Sequence, residues 1–451
     1  MAQLGEAIAR YHKLLEQPRY CDLAWAEGLQ EQMRTQHLTD SGRLVSSVLR
    51  PQFISRRQLE TLTRVTEHLN SIIDRIETLA LSSPSLLDRL QMLPAEKMLA
   101  AIPSGYSRFS VTSRMDAQVQ NGSLSLGGFD PCKPKAFAYS DPLADLFLSL
   151  PIVKEFKRGR YALSKIGRMK HLLAAVLQAW KEFGGSHQPT IAIVEFGNQP
   201  GSDLSEGHLL SELFNRAGSL TRVVTPDQLE YSKGKLRARD FEIDIVFRRL
   251  LTRELLVHFD LSHPLLLAYR NRAVCVVNNF RSEVTQRRAL FDLVTDESVT
   301  ASLSFSDRRL IRSFVPWTRV VSRKRTRYKD QDVDLPEFIR HTREQLVLRP
   351  NDDTGDRRVF VGAEMNSSAW ENALHLALKT PYVVQERLSF ARELFPVYQY
   401  GELQMKEVEV SVHPHVFSGR MHGASAALQT SSDGCPAPLG IAPVLLLEDN
   451  N

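Results

Sequence analysis

Cysteine is scarce in this chain and never clustered. Cys21, Cys132, Cys275 and Cys435 are its four cysteines among 451 residues, and no CxxC pair occurs. That spacing gives neither a zinc-ligand pattern nor a disulfide framework, and it suits a cytoplasmic protein with reduced thiols. Long apolar runs are missing as well. No stretch approaches the roughly 18–20 residues that cross a bilayer, so a membrane is not an expected partner. The opening segment MAQLGEAIARYHKLLEQ reads as an amphipathic helix rather than a basic segment followed by a signal core. A strong charge of one sign is also absent: the net charge of +5 is small for this length. Short basic clusters do occur, the densest being RKRTRYK at 323–329. With no aromatic platform or recognition motif beside Tyr328, it reads as a solvated loop, and nucleic acid is not an expected partner.

What is present is the composition of an ordinary globular protein, 43% hydrophobic and 24% charged. The length predicts two or three domains. Residues 1–103 read as a helical N-terminal region. Ser55 with Gln58 makes a capping-box start. Leu59, Leu62, Val65, Leu69, Ile72, Ile73 and Ile76 then form one apolar stripe of core type. Residues 104–297 read as an α/β domain. Short strands broken by NG and GG lead into a helix near DPLADLFLSL, and LSKIGRMKHLLAAVLQAWKEF reads as a second helix ending at Gly184–Gly185. TIAIVEF, LTRVV, IDIVFRRLL and AVCVVNNF then alternate with helical segments, the texture of an open α/β sheet with ligands at the carboxyl ends of its strands. Gly197, Gly201 and Gly207 match neither GxGxxG nor GxxxxGK[ST], which disfavours a Rossmann site and a P-loop. Residues 298–451 read as α+β, with the small-residue stretch GRMHGASAALQTSSDGCPAPLG expected to form loops.

One stretch poses the functional question. LVLRPNDDTGDRRVFVG, at 346–362, begins and ends as a strand and holds a polar, charged turn between. Such a turn could cradle phosphates or be a plain surface hairpin. His413 and His415 form an HxH, but no third ligand accompanies it, which argues against zinc. Cys132 and Cys435 are candidate loop thiols.

Several segments, in order, resemble the circularly permuted ATP-grasp family, the glutathionylspermidine synthetase-like ligases. They are SRMD (113–116), TIAIVEF (190–196), QLEY (228–231), IDIVFRRLLTRELL (243–256), HPLLLAYRNRAVCVVNNFRSEVTQRRALFDLVTDE (263–297), VPWTR (315–319), LVLRPNDDTGDRRVFVG and YVVQERL (382–388). The resemblance implies an ATP-grasp-like fold: an open α/β sheet domain, an α+β nucleotide lid and a helical N-terminal region. It implies an ATP-dependent ligase that joins a small-molecule carboxylate to an amine through an acylphosphate, with ATP and Mg²⁺, and is compatible with a homodimer. On this resemblance Arg349 takes the place of the lid cation. Asn351 and the turn Gly355, Arg357 and Arg358 lie over phosphate, and Arg287 with Arg288 grips from the other lobe. Gln385 and Glu386 sit at the adenine and ribose. Arg114, Arg248 and Arg249 are the candidates for the acceptor carboxylate, with Asp116 and Asp244 orienting an amine or an arginine. Adjacent strand residues point to opposite faces, so at most one of Arg248 and Arg249 faces the pocket.

The pattern also departs from the family's. An arginine replaces the lid lysine, and a fork is not a like-for-like substitute for a point charge. Ser411 stands about where an acidic metal ligand is expected, with Glu407 and Glu409 nearby, and Asp433 is the remaining candidate ligand in SSDGCPAPLG. GGFDPCKP offers Asp130 and no glutamate. Two readings follow: a ligase whose phosphate grip is rebuilt from arginines, or a catalytically degenerate ATP-grasp protein that binds a nucleotide or a partner.

Overall fold

A computed structural model of the chain describes residues 2–108, 110–120, 123–167, 169–197, 205–352, 358–389, 391–432 and 435–449. Of the expected site residues, Gly355, Arg357 and Asp433 lie outside the described residues.

Three sheets position everything that follows. The first is an open parallel sheet in the order Cys275–Val277, Ile245–Arg248, Ile191–Val194, Thr221–Val224. Cys275–Val277, Ile245–Arg248 and Ile191–Val194 are short and buried on both faces, as packing between helices requires. The second is a small antiparallel sheet, Thr318–Val320, Tyr382–Glu386, Leu346–Pro350 and Phe360–Val361. One face packs Leu346, Leu348, Tyr382 and Val384 against Trp370, Ala373 and Leu374 of the helix Ser367–Ala377. The third sheet is large and mainly antiparallel. It runs Gln52–Ser55, Cys435–Asp449, Arg420–Ser432, Glu402–Phe417, Thr112–Gln120, Ser123–Asp130, with Tyr161–Lys165 and Ala391–Gln399 joining it.

Strands of this large sheet come from all three of the expected segments, 1–103, 104–297 and 298–451. The segments are therefore interwoven. Gln52–Ser55 lies parallel to Cys435–Asp449 and leads straight into the long helix Arg56–Ser82. Ser55 and Gln58 cap that helix reciprocally, and Leu62, Val65, Leu69, Ile72, Ile73 and Ile76 are buried beneath it.

Three local expectations need correction. The described residues of the small-residue stretch form the strand Arg420–Ser432 and the start of Cys435–Asp449 rather than loops. Arg420–Ser432 lies between two strands, where Gly423, Ala424 and Ala426 let other backbone approach: a Cβ on the neighbouring Gly167 would meet His422 O at 1.8 Å. The helix expected from Leu163 begins at Lys170, because Tyr161–Lys165 instead pairs with Cys435–Asp449. The basic cluster 323–329 is a β-hairpin strand, Arg325–Tyr328 against Gln331–Asp334, and not an open loop. Tyr328 contacts Trp317 and Phe338 edge-on or tilted, with ring centroids 5.1 and 4.6 Å apart.

The apolar stripe of the long helix hides one charge. Glu77 has no exposure, and neither carboxylate oxygen has a hydrogen-bond partner. Burial pushes its carboxyl well above the usual range, Asp74 adds to the effect, and Arg281 opposes it. An unsatisfied buried carboxyl is costly. Glu77→Met is therefore expected to stabilise the chain by about 1–3 kcal/mol at pH 8. The gain should shrink toward pH 5, where protonation of the unfolded carboxyl removes the difference. Thermal melts at the two pH values decide it; an unchanged or lower melting temperature at pH 8 would contradict the argument.

Candidate functional site

Strand alternation sorts the arginines of the motifs. Arg248 ends the strand Ile245–Arg248, and Arg249 follows on the opposite side. Both are buried, so neither faces an open pocket. Arg248 donates to Glu283 Oε1 at 2.6 Å, to the carbonyls of Leu250 and Asn278 at 2.8 and 2.9 Å, and to Ser282 Oγ at 3.0 Å. Arg249 donates to Glu195 at 2.9 Å and Glu206 at 2.7 Å. Their partners also close the carboxyl ends of the parallel strands. Pro131 O accepts from Asn278, Pro134 O from Arg249, and Cys132 Sγ lies 3.5 Å from Arg248. The crevice where an open α/β sheet ordinarily takes a ligand is thus filled by the chain itself. Cys132 is part of that filling: burial pushes its thiol well above the usual range, which makes it inert. Asp244 lies at the other end of the sheet, accepting from Thr190 N at 2.8 Å and Thr190 Oγ1 at 3.0 Å.

Arg287 and Asn351 are likewise committed to the fold. Arg287 is buried between Glu96 and Asp352, and Arg253 also pairs with Asp352. Asn351 is 1% exposed, accepts from Ala289 N at 2.8 Å, and donates to Leu90 O and Gln91 Oε1 at 3.0 and 3.1 Å. Arg358 is exposed, and its carbonyl accepts from the Tyr382 hydroxyl.

Three other arginines do converge. Arg349 projects from the face of Leu346–Pro350 opposite the helix-packed Leu346 and Leu348, and donates to Gln385 Oε1 at 3.2 Å. Gln385 Nε2 in turn reaches Thr318 Oγ1 at 3.0 Å and Gly127 O. Arg288 takes its place from the same strand end, with Nη1 donating to Pro350 O at 2.9 Å and its backbone N–H to Asn351 O. Arg114 comes from the large sheet, its Nε 3.3 Å from Asp116 Oδ1 and its Nη2 4.0 Å from Asp130. Asp116 is the focus. Burial alone would raise its carboxyl, yet Arg114, His413, Arg349 and Arg288 together bring it down to about 2. The two glycines of GGFDP make room for this group. A Cβ on Gly128 would stand 2.4 Å from Asp116 Oδ2, and one on Gly127 2.8 Å from Leu388.

Alternation separates Gln385 from Glu386. Gln385 shares the Arg349 face, whereas Glu386 follows Tyr382 and Val384 to the other. There its oxygens accept from Trp317 N at 3.0 Å and Tyr328 Oη at 2.9 Å, with Lys329 Nζ at 3.6 Å. Glu386 lines a cavity of about 700 Å³ walled by Trp317, Arg319, Tyr328 and Lys329. Trp317 belongs to VPWTR, but nothing in that motif shows that the basic hairpin folds over it.

Among the described residues the candidate metal ligands do not assemble. Glu407 and Glu409 face Arg392 at 4.0 and 3.2 Å, and Ser411 Oγ accepts from Gln118. His413 Nε2 lies 3.7 Å from Asp116, and His415 pairs with Ser425 at 3.1 Å. Among the described residues no three His, Cys, Asp or Glu side chains are grouped to hold a metal ion. Among the described residues the donor set therefore does not fit Mg²⁺, which needs several oxygen ligands in octahedral array.

The fold is ATP-grasp-like. A glutathione synthetase-like effector from Globodera pallida superposes with TM-score 0.61 over 97% of this chain and 96% of its own, at 11% identity. A candidate gamma-glutamylcysteine synthetase from Methylobacillus flagellatus aligns over 84% of this chain and 87% of its own at 13% identity, with TM-score 0.43. A RimK domain ATP-grasp protein from Sphaerobacter thermophilus aligns over 56% and 91% at 16% identity, with TM-score 0.28. The last two overlap too loosely to carry an argument. No family model and no curated protein matches the sequence. Among the described residues no helix is long and apolar enough to cross a membrane.

The two histidines beside the cluster set an acid limit. Burial lowers His413 from 6.5 to about 4 and His415 to about 3, and Arg114 adds to both. The native state therefore binds fewer protons than the unfolded chain below pH 6.5, and stability falls as pH drops. By pH 5 each histidine should cost about 2 kcal/mol relative to pH 7.5. His413→Gln is expected to flatten the decline in urea midpoint over that range; an identical slope would refute the assignment.

Proposed function

We propose that this chain is an ATP-dependent ligase of the ATP-grasp type, joining a carboxylate to an amine with release of ADP and phosphate. One observation carries the reading: Arg349 on the small sheet is joined through Gln385 to Gly127 O, and the next residue, Gly128, lies against Asp116, the carboxylate paired with Arg114 on the large sheet. A phosphate held by Arg349 and an acceptor carboxylate held by Arg114 would then be neighbours. Proximity of that kind is the main thing such a protein must supply, since phosphoryl transfer asks for positioning and charge stabilisation rather than covalent help.

In this reading Arg349 and Arg288 hold the phosphates and Arg114 holds the acceptor. The carboxylate oxygen attacks the γ-phosphorus and ADP leaves. The amine then attacks the acyl carbon, inorganic phosphate leaves, and the nitrogen loses a proton. Gln385 fixes the Arg349 guanidinium through its side-chain oxygen.

A second reading, a nucleotide- or partner-binding protein without turnover, is favoured by the failure of Glu407 and Glu409 to form a metal group and by the internal commitment of Arg248, Arg249 and Arg287.

Calorimetry with ATP, followed by a phosphate-release assay with candidate carboxylates and amines, separates the two. Arg349→Ala is expected to weaken ATP binding at least about tenfold, or about 1.4 kcal/mol. Arg114→Ala is expected to spare ATP binding and abolish turnover. ATP binding with no phosphate release from any acceptor would leave the second reading; no effect of Arg349→Ala would remove that residue from the site.

A further inference from the structure

The basic hairpin closes one side of the cavity of about 700 Å³ at Glu386. Strand register sets that cavity apart from Arg349. Thr318 pairs with Gln385 and Arg319 with Val384. Trp317, Arg319 and Glu386 therefore share the face of the small sheet opposite Gln385 and Arg349. Trp317 and Tyr328 line the cavity with ring centroids 5.1 Å apart, and Val294, Ile311 and Val315 add apolar wall. The polar ends of both rings are already used. Trp317 Nε1 donates to Arg327 O at 3.0 Å, and the Tyr328 hydroxyl donates to Glu386 at 2.9 Å. What the two rings offer a ligand is apolar surface.

The charges of the wall do not cancel. Each carboxylate in it already faces a cation. Glu297 pairs with Arg312 at 2.6 Å and with Arg327 at 3.8 Å, Asp330 with Arg327 at 3.1 Å, Glu386 with Lys329 at 3.6 Å, and Asp296 with Arg89 at 2.8 Å. Two further arginines of the wall, Arg308 and Arg325, form no ion pair among the described residues, and Arg325 reaches only Asp332 O at 3.4 Å. Arg319 is buried and donates to neutral oxygens, Thr326 Oγ1 at 2.9 Å, Thr295 Oγ1 at 2.8 Å and Thr318 O at 2.7 Å. Asp292 stands 3.9 Å from it. Its guanidinium carbon lies 5.1 Å from the centre of the Trp317 ring, so positive charge and aromatic surface belong to one wall.

We propose that this cavity binds a flat aromatic anion, its ring against Trp317 and Tyr328 and its anionic group met by Arg308 and Arg325, at a site separate from the one that holds phosphate. The inference goes beyond the ligase reading and stands without it. A volume of about 700 Å³ lies within the range of roughly 300–1,000 Å³ that small-molecule sites occupy, and such sites combine apolar wall with a few polar groups that fix orientation. Guanidinium groups suit an anion because their paired N–H donors match two oxygens and keep their charge at any working pH. A cation would meet the arginine excess as repulsion, and an uncharged ring would leave that excess unanswered.

The test uses the full chain and three probes, 2-naphthoate, 2-naphthyl phosphate and the uncharged 2-naphthamide, titrated by calorimetry. At least one of the two anions is expected to bind at least about tenfold tighter than the amide. Which of them binds tighter tells a carboxylate ligand from a phosphate ester. Arg308→Gln with Arg325→Gln should weaken that anion at least about tenfold and leave the amide unchanged, with thermal melts showing that the fold is kept. Tyr328→Leu should weaken all three probes. Excess ATP should leave the affinity of the anions as it was. Equal affinity for anions and amide overturns the proposal, and that comparison needs no variant. Anion binding that survives the double arginine variant with a parental melt overturns it, and so does the absence of binding by any probe at millimolar concentration. Displacement of the anions by ATP shows one shared site and overturns the separation. ATP binding and phosphate release with no binding of the naphthyl anions overturns this inference alone and leaves the ligase reading in place.

Discussion

The guanidinium of Arg287 ties three distant parts of the chain into one body. It lies between Glu96 of the helix Pro94–Ala101 and Asp352 just past the strand Leu346–Pro350, with Arg253 completing the network through Asp352. Beside it, Asn351 satisfies donors and acceptors from the same three regions. A buried charge of this kind adds little net stability compared with an apolar core of equal volume, but it tolerates only one arrangement of its partners. Register between the small sheet and the rest of the fold depends on it. Because Arg288 follows directly and is anchored to Pro350, the same network sets where Arg288 stands beside Arg349.

Commitment of arginines to the interior is the theme of this fold. Arg248, Arg249 and Arg287 are each wrapped by carboxylates and carbonyls, and the segment Pro131–Pro134 packs over the strand ends they leave. In place of the crevice of the parallel sheet, the residues proposed to meet a nucleotide lie where Ser123–Asp130 approaches the small antiparallel sheet, Gln385 Nε2 reaching Gly127 O. Two glycines in sequence leave room around Asp116.

Much of the architecture was legible in the residues. The capping box at Ser55, the apolar run of TIAIVEF and the strand pair around 346–362 are local signals, and each appears in place. What could not be read is decided by partners far away in sequence. Tyr161–Lys165 is a strand only because Cys435–Asp449 offers it an edge, and Arg420–Ser432 is one because its small residues sit between two others. The site follows the same division. Arg114, Arg288 and Arg349 stand in recognisable motifs, as do Arg248 and Arg287. Nothing in the spacing says which side chains turn inward to a glutamate and which meet at Asp116. Period-two alternation could have separated Gln385 from Glu386, since Val384 and Glu386 share parity.

The C-terminal strand Cys435–Asp449 has a consequence for how the chain comes to be folded. It stands between Gln52–Ser55 on one side and Arg420–Ser432 and Tyr161–Lys165 on the other, so it is a keystone synthesised after everything it joins. Until it emerges from the ribosome, the strand that launches the long helix lacks the partner it pairs with, and the sheet under Arg56–Ser82 lacks its last strand. Closure across nearly four hundred residues is slow and leaves that sheet open during synthesis. Loss of this strand therefore leaves the first part of the molecule as unfinished as the last.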